Sequence, residues 1–303
     1  MSEMRRVIYL DHAVLSDAAK HPSSPVAIDL MTLVESDKAI FPFSWTHHRE
    51  AELDMNADVA RAIRRLGARL ARGVRFVPRS QIAAEQARNA YLDFIGESEK
   101  KRGPKLAFEH DPRGEISERW LDSMLHSGVF TDRAGLTQRT SMKELAARSL
   151  AEQRGQAGQP EPFRKAKDRW AAKLVRSYFV DFSGPFRGRM LEEAMARKGL
   201  PALESVEEFL ASGRCQAIPF IEIESTILAS LETDEKNREY KPSDFYDIQT
   251  WSAYLPYVDM AVADQQMHQV LTKRQFATKF GCAIYPNNAA GLSSLIAQMK
   301  KGD

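Results

Sequence analysis

Val7-Ile8-Tyr9-Leu10-Asp11-His12-Ala13-Val14-Leu15 decides how this chain is read. Four consecutive apolar residues, too few for a buried helix, read as a strand enclosed on both faces, and helical spacing begins at Val14. Asp11 stands at the junction, so its carboxylate emerges at the C-terminal edge of a strand, where open α/β sheets bind ligands. The same residue also suits the N-cap of the following helix, because a short acid satisfies free first-turn N–H groups. A matching pattern stands near the other end of the chain: Val258 to Ala263 reads as a strand, with Asp264 after it and helical spacing over residues 265–280.

Outward from these junctions, residues 26–36 read as a helix on Val26, Leu30, Leu33 and Val34, and residues 38–43 as a second strand. One long helix is expected over residues 46–72, with Gly73 past its end and a third strand over residues 74–78. Residues 245–255 read as helix and residues 282–285 as a last strand after Gly281. The middle of the chain is helix-prone without a convincing strand, and residues 155–162, rich in Gly and Pro, read as a linker. Strands alternating with helices at both ends imply a parallel sheet. The expected architecture is therefore an α/β core from residues 1–80 and 233–303, interrupted by a mostly α-helical insertion over residues 81–232.

Composition narrows the class. Of 303 residues, 43% are hydrophobic and 28% charged, as in ordinary globular proteins. No apolar run approaches the ~18 residues of a membrane span, and Val7 to Leu10 is too short for a signal sequence. Cys215 and Cys282 form neither a disulfide framework nor a zinc signature, and a reducing cytoplasm is the expected compartment. A Walker loop, a dinucleotide fingerprint, a His-Glu-x-x-His motif and a supported Ser-His-Asp arrangement are all missing.

The chemistry-bearing residues are acids at structural punctuation points. Asp11 and Asp264 end strands. Glu50, in Ser44-Trp45-Thr46-His47-His48-Arg49-Glu50, shares a helical stripe with Ser44 and His47, and His47 is placed to orient it. Glu52 lies two residues on and faces nearly the opposite way, so Glu50 is preferred, although a solvated acidic face explains either. Asp244 and Asp247 stand three apart at a helix start, where a capping box accounts for both without chemistry. Gathered at one rim, Asp11, Glu50, Asp247 and Asp264, with Asp244 as accessory acid, would form an all-oxygen site suited to a hard cation such as Mg2+ or Mn2+. Crowded carboxylates repel, so at least one is expected to titrate above its ordinary range.

Basic residues supply the complement. Between Arg61 and Arg79 there are seven arginines and no acid; Arg61, Arg64, Arg65, Arg69 and Arg72 are the candidate contacts to a nucleic-acid backbone. Residues 139–200 carry fourteen Lys/Arg against seven Asp/Glu. Trp170, Tyr178, Phe179, Phe182 and Phe186 interleave with that charge, either as stacking platforms or as the insertion's own core.

The layout resembles the PIN-like nuclease superfamily, which includes the toxin ribonucleases of toxin–antitoxin pairs. The resemblance is carried by Ile8-Tyr9-Leu10-Asp11, by Ser44-x-x-His47-x-x-Glu50, and by Asp247-Ile248-Gln249 followed by Val258-Asp259 and Ala263-Asp264. It implies a metal-dependent endoribonuclease in which metal-activated water attacks in line, leaving 5′-phosphate and 3′-hydroxyl ends. RNA is expected ahead of DNA as partner, but the long insertion has no counterpart in the compact toxins, so substrate choice does not carry over. An inhibitor or antitoxin protein and an oligomer are allowed. Ser44 and His47 take supporting positions, and Asp259, on a strand, takes a structural or supporting one. Ala13 departs from the pattern, because members often carry Asn or another small polar residue there. Two rivals share the same residues: a non-catalytic nucleic-acid-binding module, and a scaffold whose helical part docks a protein partner.

Overall fold

The computed structural model describes residues 4–52, 56–97, 104–113, 162–181, 185–197, 202–233 and 242–301. The linker expected over residues 155–162 lies outside them but for its last residue, as do Phe182 and the side chain of Glu52. The chain divides into two compact units. The first comprises Met1–Pro78, Gly103–Ser141 and Tyr254–Asp303, and the second Arg79–Arg102 and Met142–Ala253.

The first unit is α/β. Its sheet contains β1 (Arg6–Leu10), β2 (Ala39–Ile40), β3 (Met260–Ala263) and β4 (Ala283–Pro286), all parallel, in the order β2-β1-β3-β4. The register pairs Ile8 with Met260 and Leu10 with Val262. From β1 the chain moves to one side, to β2, and later to the other side, to β3. The switch in strand order therefore falls between β1 and β3.

Alternation along the strands divides the core. Ile8, Leu10, Met260 and Val262 join a cluster with Val14 and Leu15 of α1 (His12–Lys20), Leu30 and Leu33 of α2 (Pro25–Glu35) and Ile63 and Leu70 of α4 (Ala57–Ala71). Leu295 and Met299 of a C-terminal helix, α14 (Ala289–Lys300), complete it. On the opposite face, Tyr9 stacks between His47 and Tyr254, with Phe76 against both tyrosines.

Several expected elements come out shorter. The helix expected over residues 46–72 is two: α3 (Trp45–Glu52) and α4, whose first-turn N–H groups are capped by Asn56 Oδ1. An amide suited to an N-cap outweighs the continuity of the apolar stripe. The strand expected at residues 38–43 holds only β2 and a bridge at Phe43. The one expected at residues 74–78 contributes only the bridges of Arg75 to Phe43 and Phe76 to Phe108. Pro42 and Pro78 lack the N–H that a longer ladder requires. The helix expected over residues 265–280 breaks at Gln275, which is left-handed, into α12 (Gln265–Lys273) and α13 (Phe276–Phe280).

The second unit is helical among the described residues: α5 (Arg79–Phe94), α7 (Phe163–Val175), α8 (Pro185–Ala196), α9 (Ala202–Ala211), α10 (Pro219–Glu232) and most of α11 (Pro242–Tyr254). The short α6 (Pro104–Ala107) belongs to the first unit. The unit boundaries therefore depart from an insertion over residues 81–232, because residues 242–253 group with the helices. A helix joins whichever core buries its apolar face, and chain order does not reveal which. Trp170, Phe179 and Phe186 are buried, which makes them core rather than stacking platforms. Among the described residues no helix is long and apolar enough to cross a membrane.

Gly291 permits α14 to dock on the end of β4. A Cβ there would fall on the carbonyl oxygen of Pro286 and within 2.7 Å of its Cγ. Because one obstacle is backbone, Gly291→Ala is expected to cost about 1–3 kcal/mol despite alanine's better helix propensity. A thermal melt of the variant beside the parent measures it.

Candidate functional site

Three residues each stand one position past a parallel strand: Asp11 after β1, Asp264 after β3 and Asn287 after β4. Backbone hydrogen bonds keep them in step, with Asp11 N–H donating to Val262 O (3.0 Å) and Asn287 N–H to Ala263 O (2.7 Å). Two acids and an amide are thereby aligned across the C-terminal edge at the switch in strand order.

Both acids cap helices, as their positions allow. Asp11 Oδ1 accepts from Ala13 N–H (3.0 Å), and Asp264 Oδ1 from the N–H groups of Gln266 (2.7 Å) and Met267 (2.8 Å). Capping engages Oδ1 of each residue. The other oxygen of Asp11 accepts from Asn287 Nδ2 at 3.0 Å. Burial holds the Asp11 carboxyl above its ordinary range, and the Asp264 charge adds to this against the hydrogen bonds from Ala13 and Asn287. The rise expected at one of the acids is present at Asp11, with burial rather than repulsion between carboxylates as its largest cause.

Glu50 approaches from α3. Its Oε2 lies 3.8 Å from His12 Nδ1, with both side chains 18% exposed. The Tyr9 hydroxyl connects the groups electrostatically: burial raises its pKa first, followed by the charges of Glu50 and Asp11. Among the described residues, no three or more His, Cys, Asp or Glu side chains form a set that could hold a metal ion.

His47 does not orient Glu50. Its Nε2 donates to Leu10 O at 2.7 Å, and its Nδ1 accepts from Ser44 N–H at 3.2 Å. Ser44 Oγ in turn accepts from His47 N–H, so the pair forms the start of α3 and ties it to the end of β1. Burial lowers the imidazole pKa to about 4. His12 takes the place beside Glu50 that the three-residue spacing had given to His47.

Asp259 stands one residue before β3, at the opposite edge of the sheet from Asp264. Its carboxylate accepts from Val7 N–H (2.8 Å) and from Arg113 Nη2 (2.9 and 3.0 Å), and so secures that edge rather than supporting the acids. Asp244 and Asp247 lie on α11, with Asp244 buried and Asp247 half-buried. That helix begins at Pro242, placing Asp244 inside its first turn and not at the cap that a capping box needs. Both acids belong to the second unit.

Helical phase also divides the arginines. Arg61, Arg65 and Arg69 recur every four residues and form an exposed face of α4. Arg64 falls on the inward side, 8% exposed, where its guanidinium meets His48; Arg72 pairs with Asp37 at 2.7 Å.

The residue missed in the sequence is Asn287. Its signal was positional, since it follows the last strand as Asp11 and Asp264 follow theirs. It supplies the amide that Ala13 cannot. Comparison with protein-family models, with curated proteins and with solved structures gives no match to this chain.

If the edge binds a cation, Asn287 acts by orienting Asp11. Asn287→Ala is then expected to weaken Mn2+ affinity about 10–100-fold, as loss of a group that orients a ligand does. Titration calorimetry with Mn2+ measures it, and an unchanged affinity would refute the orienting role.

Proposed function

We propose that this chain is a divalent-metal-dependent nuclease of the PIN-like kind, hydrolysing RNA internally. The observation carrying the proposal is the placement of Asp11 and Asp264 side by side, past neighbouring parallel strands where the strand order switches. Carboxylates there, with Glu50 on the adjacent helix, suit the oxygen-rich coordination of Mg2+ or Mn2+ better than a thiolate or imidazole cage would. Asp247, and Asp244 three residues before it on α11, belong to this reading through the resemblance alone.

When bound, the cation would neutralise phosphate charge and activate a water for in-line attack. Asp11 and Asp264 would hold it as ligands, with Asn287 orienting Asp11 and His12 beside Glu50. Arg65 and Arg69 on the exposed face of α4, with Arg61 once released from its ion pair with Asp58, would meet phosphates along a strand. An inhibitor of the antitoxin kind belongs to the resemblance alone.

The test incubates the chain with labelled RNA and DNA panels in Mn2+ or EDTA. Cleavage of RNA in Mn2+, absent in EDTA, is expected. A second reading is favoured by one observation: Asp11 and Asp264 both already serve as helix caps, a complete structural use. On that reading the chain binds RNA with steep salt dependence and cleaves nothing in Mn2+.

A further inference from the structure

A cavity of about 240 Å³ lies within the first unit, walled by Phe43, Trp45, His48, Arg64, Arg75 and Glu109 among others. Trp45 and His48 bring it to α3, the helix that carries Glu50. At about 100° per residue, Glu50 stands ~140° around the axis from Trp45 and ~200° from His48. The cavity therefore opens on another side of the helix from the acidic edge.

Its lining combines an aromatic surface with positive charge. Trp45 is 55% exposed, although indole is large and mostly apolar. Its ring stacks on His48 with centroids 5.4 Å apart and planes at 27°. Arg64 donates to His48 Nδ1 from Nε (3.2 Å) and Nη2 (2.7 Å), which fixes the imidazole as the inner layer of that stack. Arg75 meets Glu109 at 2.9 Å. Among the described residues the lining holds two guanidinium groups and one carboxylate, a cationic balance.

An apolar ligand would have no use for guanidinium groups. A neutral sugar needs several acceptors, and the acid here is held by Arg75. An indole that is 55% exposed, in a lining that also holds guanidinium groups, matches a planar aromatic group carrying an anion. The volume lies below the ~300 Å³ at the lower end of ligand pockets, which limits the occupant to one small unit. We propose that this cavity binds a single nucleotide, its base against Trp45 and its phosphate on the arginine wall. The nucleotide is either free or one unit of a strand. The proposal is independent of the nuclease reading and holds whether or not the chain cleaves RNA.

Titration calorimetry of the full chain tests it with AMP, adenosine, inorganic phosphate and a five-nucleotide RNA, beside Trp45→Ala, Trp45→Phe and Arg75→Gln. Saturable binding of AMP or of the pentanucleotide is expected. Trp45→Ala and Arg75→Gln should each weaken it about tenfold or more, and Trp45→Phe should retain most of it because a phenyl ring still stacks. Adenosine and phosphate alone should bind about tenfold more weakly than AMP. Preference for AMP identifies a free nucleotide as occupant, and binding of the pentanucleotide alone identifies a strand. No binding of either ligand at about 1 mM, or binding indifferent to Trp45→Ala with circular dichroism unaltered, overturns the proposal.

Discussion

Asp264→Asn and Asp11→Asn proteins, given labelled RNA and Mn2+, are expected to cleave more than about 100-fold more slowly than the parent. The penalty should exceed the 10–100-fold loss typical when only a group orienting a metal ligand is removed. Asparagine is the informative replacement because it caps helices as well as aspartate does. The hydrogen bonds from Ala13, Gln266 and Met267 survive; at Asp264 only the charge is lost, and at Asp11 the bond from Asn287 Nδ2 is lost with it, because an amide nitrogen cannot accept. For Asp11 a second effect has the opposite direction. Its folded pKa lies above the ordinary value, so its ionised form is disfavoured in the fold, and stability falls as pH rises through its titration. Asp11→Asn should therefore melt at a higher temperature than the parent at neutral pH, with the gain shrinking toward acid. Slower cleavage combined with greater stability marks a carboxylate kept for function against the interest of the fold. Were Asp11 a cap alone, the gain in stability, which follows from burial, would remain and cleavage would be unchanged. Parental cleavage by both folded variants would end the nuclease reading.

The largest effect on stability should come from His47 as the solution is acidified. Its ordinary pKa is 6.5 and burial lowers it to about 4, so the fold holds the ring neutral while the unfolded chain takes up a proton. The sign follows from linkage. The stability associated with the neutral ring is fully present above about pH 6.5, is lost as pH falls, and is exhausted near pH 4. The separation corresponds to a loss on the order of 3 kcal/mol across that window. Urea melts at closely spaced pH values should show midpoint concentrations falling through it. The Asp11→Asn background is the cleaner one, because Asp11 titrates in the opposite sense. His47→Gln should flatten the fall, since an amide can still reach Leu10 O without gaining a proton. It should also lose about 1 kcal/mol at neutral pH from the ring stacking on Tyr9. An unchanged acid limb in His47→Gln would assign the pH dependence elsewhere.

These two residues show where reading a sequence succeeds and where it stops. Asp11 and Asp264 were legible because a short buried strand can deliver the next side chain to only one place, the sheet's C-terminal edge. Helical phase separates Arg61, Arg65 and Arg69 from Arg64. His47 was misassigned because three-residue spacing says which residues share a stripe, and says nothing of what lies across from it. Across from it lies the carbonyl of Leu10, and the imidazole is consumed there. Of the structural and supporting roles open to Asp259, the contacts with Val7 N–H and Arg113 show the structural one, and Arg113 is remote in sequence.

The sequence by itself determined the α/β class, the strand-to-helix junctions and the acids that stand at them, because these depend on local periodicity and on turn chemistry. Tertiary structure alone decided the strand order β2-β1-β3-β4, which aligns Asp11 with Asp264. It also brought Asn287 from 276 residues away to the side of Asp11, and assigned residues 242–253 to the helical unit. Those outcomes depend on which apolar faces and backbone edges meet, and such pairings between distant segments leave no local trace in the chain.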